Sequence, residues 1–207
     1  MTDKPMILSG LEVRAVIESR KTQFRRVLKP QPRCTDAGEW YLATSAGFQF
    51  LSDPHLTLPY APGDRLWVRE TFWHDDNGVR YRAAGHVSPF GWKPSTQMPR
   101  WASRLTLVVT DVRVQRVQDI SEDDAVAEGV DKMSSFKPIQ TAKHLINPPL
   151  MGPIFRVGYE RLWNSMNAKR GHGWMNAKRG HGWTANPWVV AVTFEVLPVN
   201  IDKETDR

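Results

Sequence analysis

Leu105-Thr106-Leu107-Val108-Val109-Thr110-Asp111-Val112-Arg113-Val114 decides the fold class. Leu105, Leu107 and Val109 recur every second residue, which puts them on one face of an extended chain over 104–118. The phase changes near Asp111 and resumes with Val112 and Val114, as a bulge would produce. Such a strand belongs to a sheet with one covered face. A helix follows it. Ser121 is a preferred N-cap, Glu122, Asp123 and Asp124 suit the positive end of the helix dipole, and Gly129 is a natural stop.

Upstream, Pro62-Gly63-Asp64 is a turn into an alternating strand over 65–72, and Asp76-Asn77-Gly78 turns into another over 79–83. Residues 40–50 read as two short strands around Ser45-Ala46-Gly47, and 85–103, with Pro89, Pro94 and Pro99, read as loop. Near the N-terminus a short strand over 6–9 meets the capping box Ser9-x-x-Glu12, which starts an amphipathic helix over 11–19. Downstream, Phe155, Tyr159, Leu162, Trp163 and Met166 share one helical face, and 188–196 is a buried strand. Short strands joined by turns, with a few helices among them, predict an α+β fold. The expected form is a small, mostly antiparallel sheet or barrel with helices packed at its edges.

The chain has 207 residues, 41% of them hydrophobic and 24% charged, so it can bury a core, and it reads as one domain over 1–207. Two stretches interrupt it. Residues 130–152 form a long, proline-punctuated loop of lid-like length. Met166-Asn167-Ala168-Lys169-Arg170-Gly171-His172-Gly173-Trp174 is repeated unchanged from Met175 to Trp183. The tandem copy over 166–183 lengthens a polar loop or doubles a basic-aromatic arm, and Trp174 and Trp183 are interchangeable by sequence. His172 and His181 share the repeat with no cysteine or acidic residue, so no metal site is expected. One cysteine, Cys34, excludes an internal disulfide. No apolar run is long enough for a bilayer, and the N-terminal apolar stretch is too short for a signal peptide. The expected location is cytoplasmic.

Net charge is +6, unevenly spread. Residues 1–33 carry eight basic and three acidic side chains, whereas 119–131 carry six acidic ones and no base. The basic cluster suits a polyanion, and the acidic block suits the first turn of a helix. Nine tryptophans supply core packing, base stacking or both. There is no GxxxxGK[ST], HExxH, GxSxG or paired CxxC, so no nicotinamide, ATP or zinc chemistry is indicated and no cofactor is expected.

Four segments remain: Glu18-Ser19-Arg20-Lys21-Thr22-Gln23-Phe24-Arg25-Arg26, Pro62-Gly63-Asp64-Arg65-Leu66-Trp67-Val68-Arg69-Glu70, Ile120-Ser121-Glu122-Asp123-Asp124-Ala125-Val126-Ala127-Glu128-Gly129, and the closing strand 188–195. Together they resemble the ASCH domain, a member of the PUA-like group of small β-barrels, in the form carried by bacteriophages and prophages. The likeness touches most of 6–129 and 155–196. It implies a cleft that holds RNA or a modified nucleoside. Some ASCH proteins remove an N4-acyl group from cytidine, and others are described as ribonucleases. The amidohydrolase type uses a lysine, a threonine three residues later and a glutamate on the later helix. Lys21 and Glu128 match the first and last of these, and Phe24 stands at the threonine position. A phenyl ring cannot attack a carbonyl, so water would have to be the nucleophile.

The expected RNA or nucleoside contacts are Arg25 and Arg26 for phosphate, Phe24 as a stacking ring, Arg69 and Glu70, and Trp92, Arg100 and Trp101 in the proline-rich loop. Arg69 and Glu70 lie on opposite faces of their strand, so each needs another partner. Binding without turnover is the first reading. A hydrolase of acylated cytidine or single-stranded RNA using Lys21 and Glu128 is the second. A phage accessory protein that binds a host protein is the third.

Overall fold

The computed structural model of the protein describes residues 2–45, 47–53, 56–88, 91–130, 154–168 and 181–203. The expected loop beyond Val130 and most of the repeat, Trp174 included, lie outside the described residues. In chain order the elements begin with β1 (Asp3–Ile7), α1 (Gly10–Ile17), β2 (Gln23–Val27), β3 (Arg33–Cys34), β4 (Trp40–Thr44), β5 (Gly47–Phe50) and β6 (Arg65–Arg69). They continue with β7 (Phe72–Asp75), β8 (Gly78–Tyr81), β9 (Thr106–Arg116), α2 (Glu122–Ala127), α3 (Ile154–Ala168) and β10 (Trp188–Leu197). The fold is α+β. The main sheet runs β1-β6-β9-β10-β2, and two small sheets are β3-β4-β5 and β7-β8. The main sheet has two end strands, and among the described residues it is an open sheet rather than a closed barrel. Most pairs are antiparallel as expected, but β1 runs parallel to β6, with Lys4 opposite Leu66 and Met6 opposite Val68. The strand β2, in a segment to which the sequence reading assigned no element, is the other departure.

The described chain divides into two compact units. The first comprises Met1–Phe24, Pro59–Val112 and Val192–Arg207. Helix α1 forms as its capping box requires: Ser9 Oγ accepts from the Glu12 N–H at 3.3 Å and Glu12 Oε2 from the Ser9 N–H at 2.8 Å. It buries Val13, Ala15 and Val16. Leu66 and Val68 of β6 and Leu105, Leu107 and Val109 are buried at alternate positions. Thr110 and Asp111 are exposed, and Val112 and Val114 are half-buried, which is the expected phase change. Phe24 is buried against Tyr60 and Phe194, with ring centroids 5.3 and 5.8 Å away.

The turn into β6 is fixed by Gly63, whose φ of +85° suits glycine, and by Asp64. The Asp64 carboxylate accepts from Lys4 Nζ at 2.6 Å, Thr2 Oγ1 at 2.7 Å, Thr2 N at 3.0 Å and Ala61 N at 3.1 Å. Burial alone would raise its pKa, but these donors outweigh burial and hold it well below the usual carboxylate range. A carboxyl depressed in the folded state stabilises the fold above its unfolded pKa of about 3.9 and loses that contribution as pH falls further. Asp64→Asn is therefore expected to lower stability at neutral pH and to flatten its acid dependence below about pH 4, measured by urea unfolding across pH.

The second unit comprises Arg25–Leu58 and Arg113–Ala191. Its core gathers Val117, Ile120, Ala125, Val130, Tyr159, Trp163, Trp183 and Val189. Ser121 Oγ caps α2 by accepting from the Asp124 N–H at 3.0 Å. Gly129, at φ +85°, ends the helix: its N–H donates to Val126 O at 2.8 Å and that of Val130 to Ala125 O at 3.3 Å. Glu122 in turn caps α3, accepting from the Phe155 and Arg156 N–H groups at 2.9 Å each. The end of the repeat's second copy is anchored here. Trp183 is 8% exposed, donates its N–H to Asn164 Oδ1 at 3.0 Å and packs on Tyr159, while Trp163 Nε1 donates to His181 O at 2.8 Å. Trp183→Ala is expected to cost about 3–5 kcal/mol by urea unfolding, the range for emptying an aromatic core position.

Candidate functional site

Arg25 leads the residues the sequence marked for function, and its placement differs from expectation. It was expected to meet phosphate, yet its guanidinium is fully buried. Nη1 donates to Glu128 Oε1 at 3.0 Å and Nη2 to Asp124 Oδ2 at 2.8 Å. Asp124 and Glu128 stand one helical turn apart, so α2 presents both carboxylates to one cation. The buried Glu128 and the part-buried Asp124 would repel, and the arginine between them removes that cost. Arg113 adds a longer contact to Asp124 at 3.3 Å. Tyr159 lies under the guanidinium at 5.7 Å from its ring centroid. Its hydroxyl is buried beside the Glu128 carboxylate. Burial pushes the Tyr159 phenol well up, and the Glu128 carboxylate adds to the shift. Glu128, expected as a catalytic carboxylate, is thus 3% exposed and ion-paired.

In the first unit Lys21 is also buried, 3% exposed, and Phe24 is a core residue with Tyr60 and Phe194 against its ring rather than an open stacking surface. Arg69 and Glu70 each find separate partners, as their opposite faces demand. Arg69 Nε donates to Ser95 O at 3.1 Å, its Nη2 donates to Thr96 O, and its guanidinium lies over Trp67. Glu70 is buried and takes both arms of Arg104 at 2.8 and 3.0 Å, with Arg104 in turn 4.1 Å from the Tyr81 ring centroid. Arg100 is held by Asp3 at 2.6 Å and Asp202 at 2.8 Å. Arg26 and Trp92 are half-buried.

Trp101 is different. It is 59% exposed, and its ring meets His74 edge-on at 5.5 Å. His74 stacks on the buried Phe72, which fixes the imidazole. Lys93 is held to β7 by a two-bond bridge with Phe72, at 3.2 and 2.8 Å. Its Nζ lies 2.9 Å from His74 Nε2 and 5.4 Å from the Trp73 ring centroid. A lysine donating to that nitrogen needs a neutral imidazole with its proton on Nδ1. The first unit therefore presents an exposed indole, an imidazole and an ammonium together. The sequence reading named Trp101 but not His74, whose only signal was its alternation with Phe72 along a strand.

Among the described residues no group of histidine, cysteine or acidic side chains could hold a metal ion, and no helix is long and apolar enough to cross a membrane. No family model and no curated protein matches the sequence. One solved structure to which the chain is similar is protein EF3133 from Enterococcus faecalis V583, of the family DUF984. Identity is 14% over 98% of this chain and 80% of that one, with a TM-score of 0.45.

The pairing of Arg25 predicts how it fails. Arg25→Ala leaves the buried Glu128 without its cation beside the part-buried Asp124 and is expected to cost about 3–5 kcal/mol in urea unfolding. A loss below about 1 kcal/mol would mean that the three charges are solvated.

Proposed function

We propose that this protein binds single-stranded RNA or a modified nucleoside by stacking bases on exposed aromatic rings beside basic side chains. The observation that carries this reading is Trp101, 59% exposed and in edge contact with His74, whose Nε2 lies 2.9 Å from Lys93 Nζ. An indole left in water beside an imidazole and a lysine matches what a base and its phosphate need: a π-face and a nearby cation. The net charge of +6 favours a polyanionic partner.

The resemblance to ASCH domains supports the same ligand class. It does not favour hydrolysis to the same degree, because Phe24 sits in the core where a threonine nucleophile would be needed. Glu128, ion-paired with Arg25, is in any case a poor target for a catalytic test, since removing it also disturbs the buried cluster. The contacts that remain open to a ligand are the exposed ones.

The test is equilibrium binding of a short labelled single-stranded RNA over a range of salt. Trp101→Ala is expected to cost about 1–3 kcal/mol of binding with unchanged thermal stability. Lys93→Ala is expected to reduce the slope of log affinity against log salt by about one phosphate's worth. Wild-type affinity in both variants would sink the reading, and salt-independent binding of a protein instead would favour a host-protein partner.

A further inference from the structure

The small sheet β3-β4-β5 of the second unit has two unlike faces. Its register pairs Cys34 with Trp40 and Leu42 with Gln49 on one side, and Arg33 with Tyr41, Tyr41 with Phe50 and Ala43 with Phe48 on the other. The first side meets the core. Leu42 is 2% exposed, and Trp40 packs against Trp188 at 5.3 Å with the Arg116 guanidinium over both rings, at 4.6 and 4.5 Å.

A sheet with one covered face ordinarily turns polar residues outward. This one turns out Tyr41, Phe48 and Phe50. Phe48 is 73% exposed and Phe50 39%. The Phe48 ring stands at 90° to Tyr41 with centroids 5.2 Å apart, and the Phe50 ring at 65° and 6.3 Å. Edge-to-face contacts orient the rings without closing them over one another in a stack, so aromatic faces remain open. The exposed Arg33 lies in the same cross-strand row as Tyr41 and Phe50, and no registered position on that side is a carboxylate.

We infer that this outward face is a second base-stacking platform for single-stranded RNA, with Phe48 and Phe50 each taking a base and Arg33 a phosphate. The inference rests on the RNA-binding reading and adds a site to it. Three considerations select this occupant. Aromatic rings on a sheet surface stack bases of any sequence, because every base has a π-face. Arginine serves both phosphate and base planes. The charge on this face is positive and unopposed among its registered residues, as a polyanion requires.

The experiment compares the full-length protein with Phe48→Ala, Phe50→Ala and Arg33→Ala in binding to a short labelled single-stranded RNA at low salt, with Trp101→Ala alongside. Each Phe variant removes an exposed ring, so its melting temperature should be unchanged, which separates lost binding from lost folding. The platform predicts that Phe48→Ala weakens RNA binding roughly tenfold to a hundredfold, the worth of one lost stack, and that Arg33→Ala weakens it less and lowers the salt slope. Wild-type affinity in all three variants, with binding lost in Trp101→Ala, would overturn the platform and leave the RNA reading standing. No RNA binding by the wild type would overturn both. If sedimentation shows a wild-type dimer that Phe48→Ala separates, while RNA affinity is unchanged, the face joins copies of the chain and the inference is wrong.

Discussion

The second unit is organised around one buried cation. Arg25 lies between Asp124 and Glu128, and those two carboxylates can share a turn of α2 only because the guanidinium is between them. Two more members of the acidic block make specific contacts. Glu122 supplies the N-terminal partner of α3, Asp119 accepts from the Arg116 N–H at 3.3 Å, and Ser121 starts the helix that carries them. The helix pair then sets Tyr159 and Trp163 against Trp183. A charge pattern that suits a helix dipole is here also a set of specific contacts, and removal of the Arg25–Glu128 pair would leave a buried group unsatisfied.

That commitment bears on function. Buried, paired charges are poor candidates for holding a ligand, because a phosphate would have to compete with carboxylates already in place. Arg25 is engaged in this way; Arg100, although part-exposed, is already held by Asp3 and Asp202, and Arg69 by backbone carbonyls. The side chains left facing water are of another kind: the indole of Trp101 with His74 and Lys93, and the ladder of Tyr41, Phe48 and Phe50 with Arg33. Large exposed rings beside cations are costly to leave in water unless something covers them.

Much of the fold was legible because it rests on local rules. The capping box gave α1, the Ser121 N-cap and the stop glycine Gly129 gave α2, the alternation of Leu105, Leu107 and Val109 gave β9, and the helical spacing of Tyr159 and Trp163 gave α3. What depends on pairing between distant segments was not legible. Nothing local says that β1 runs parallel to β6, or that Gln23–Val27 is an edge strand of the main sheet. The same limit governs the site. Phe24 and Arg25 look alike on paper as exposed binding residues, yet the first packs on Phe194 and the second meets Glu128, 103 positions away. Trp101 stayed exposed as its proline-rich, basic surroundings suggested. The Phe48 and Phe50 face was missed because alternating aromatics usually mark the covered side of a strand.

The most direct test is backbone hydrogen–deuterium exchange with and without a short single-stranded RNA at low salt. Slowed exchange is expected within 72–74 and 93–101 and in β4 and β5, with no change around Arg25 or along α2. Protection confined to β2 and α2, with 72–101 unaffected, would contradict this and return the binding site to the charges buried there.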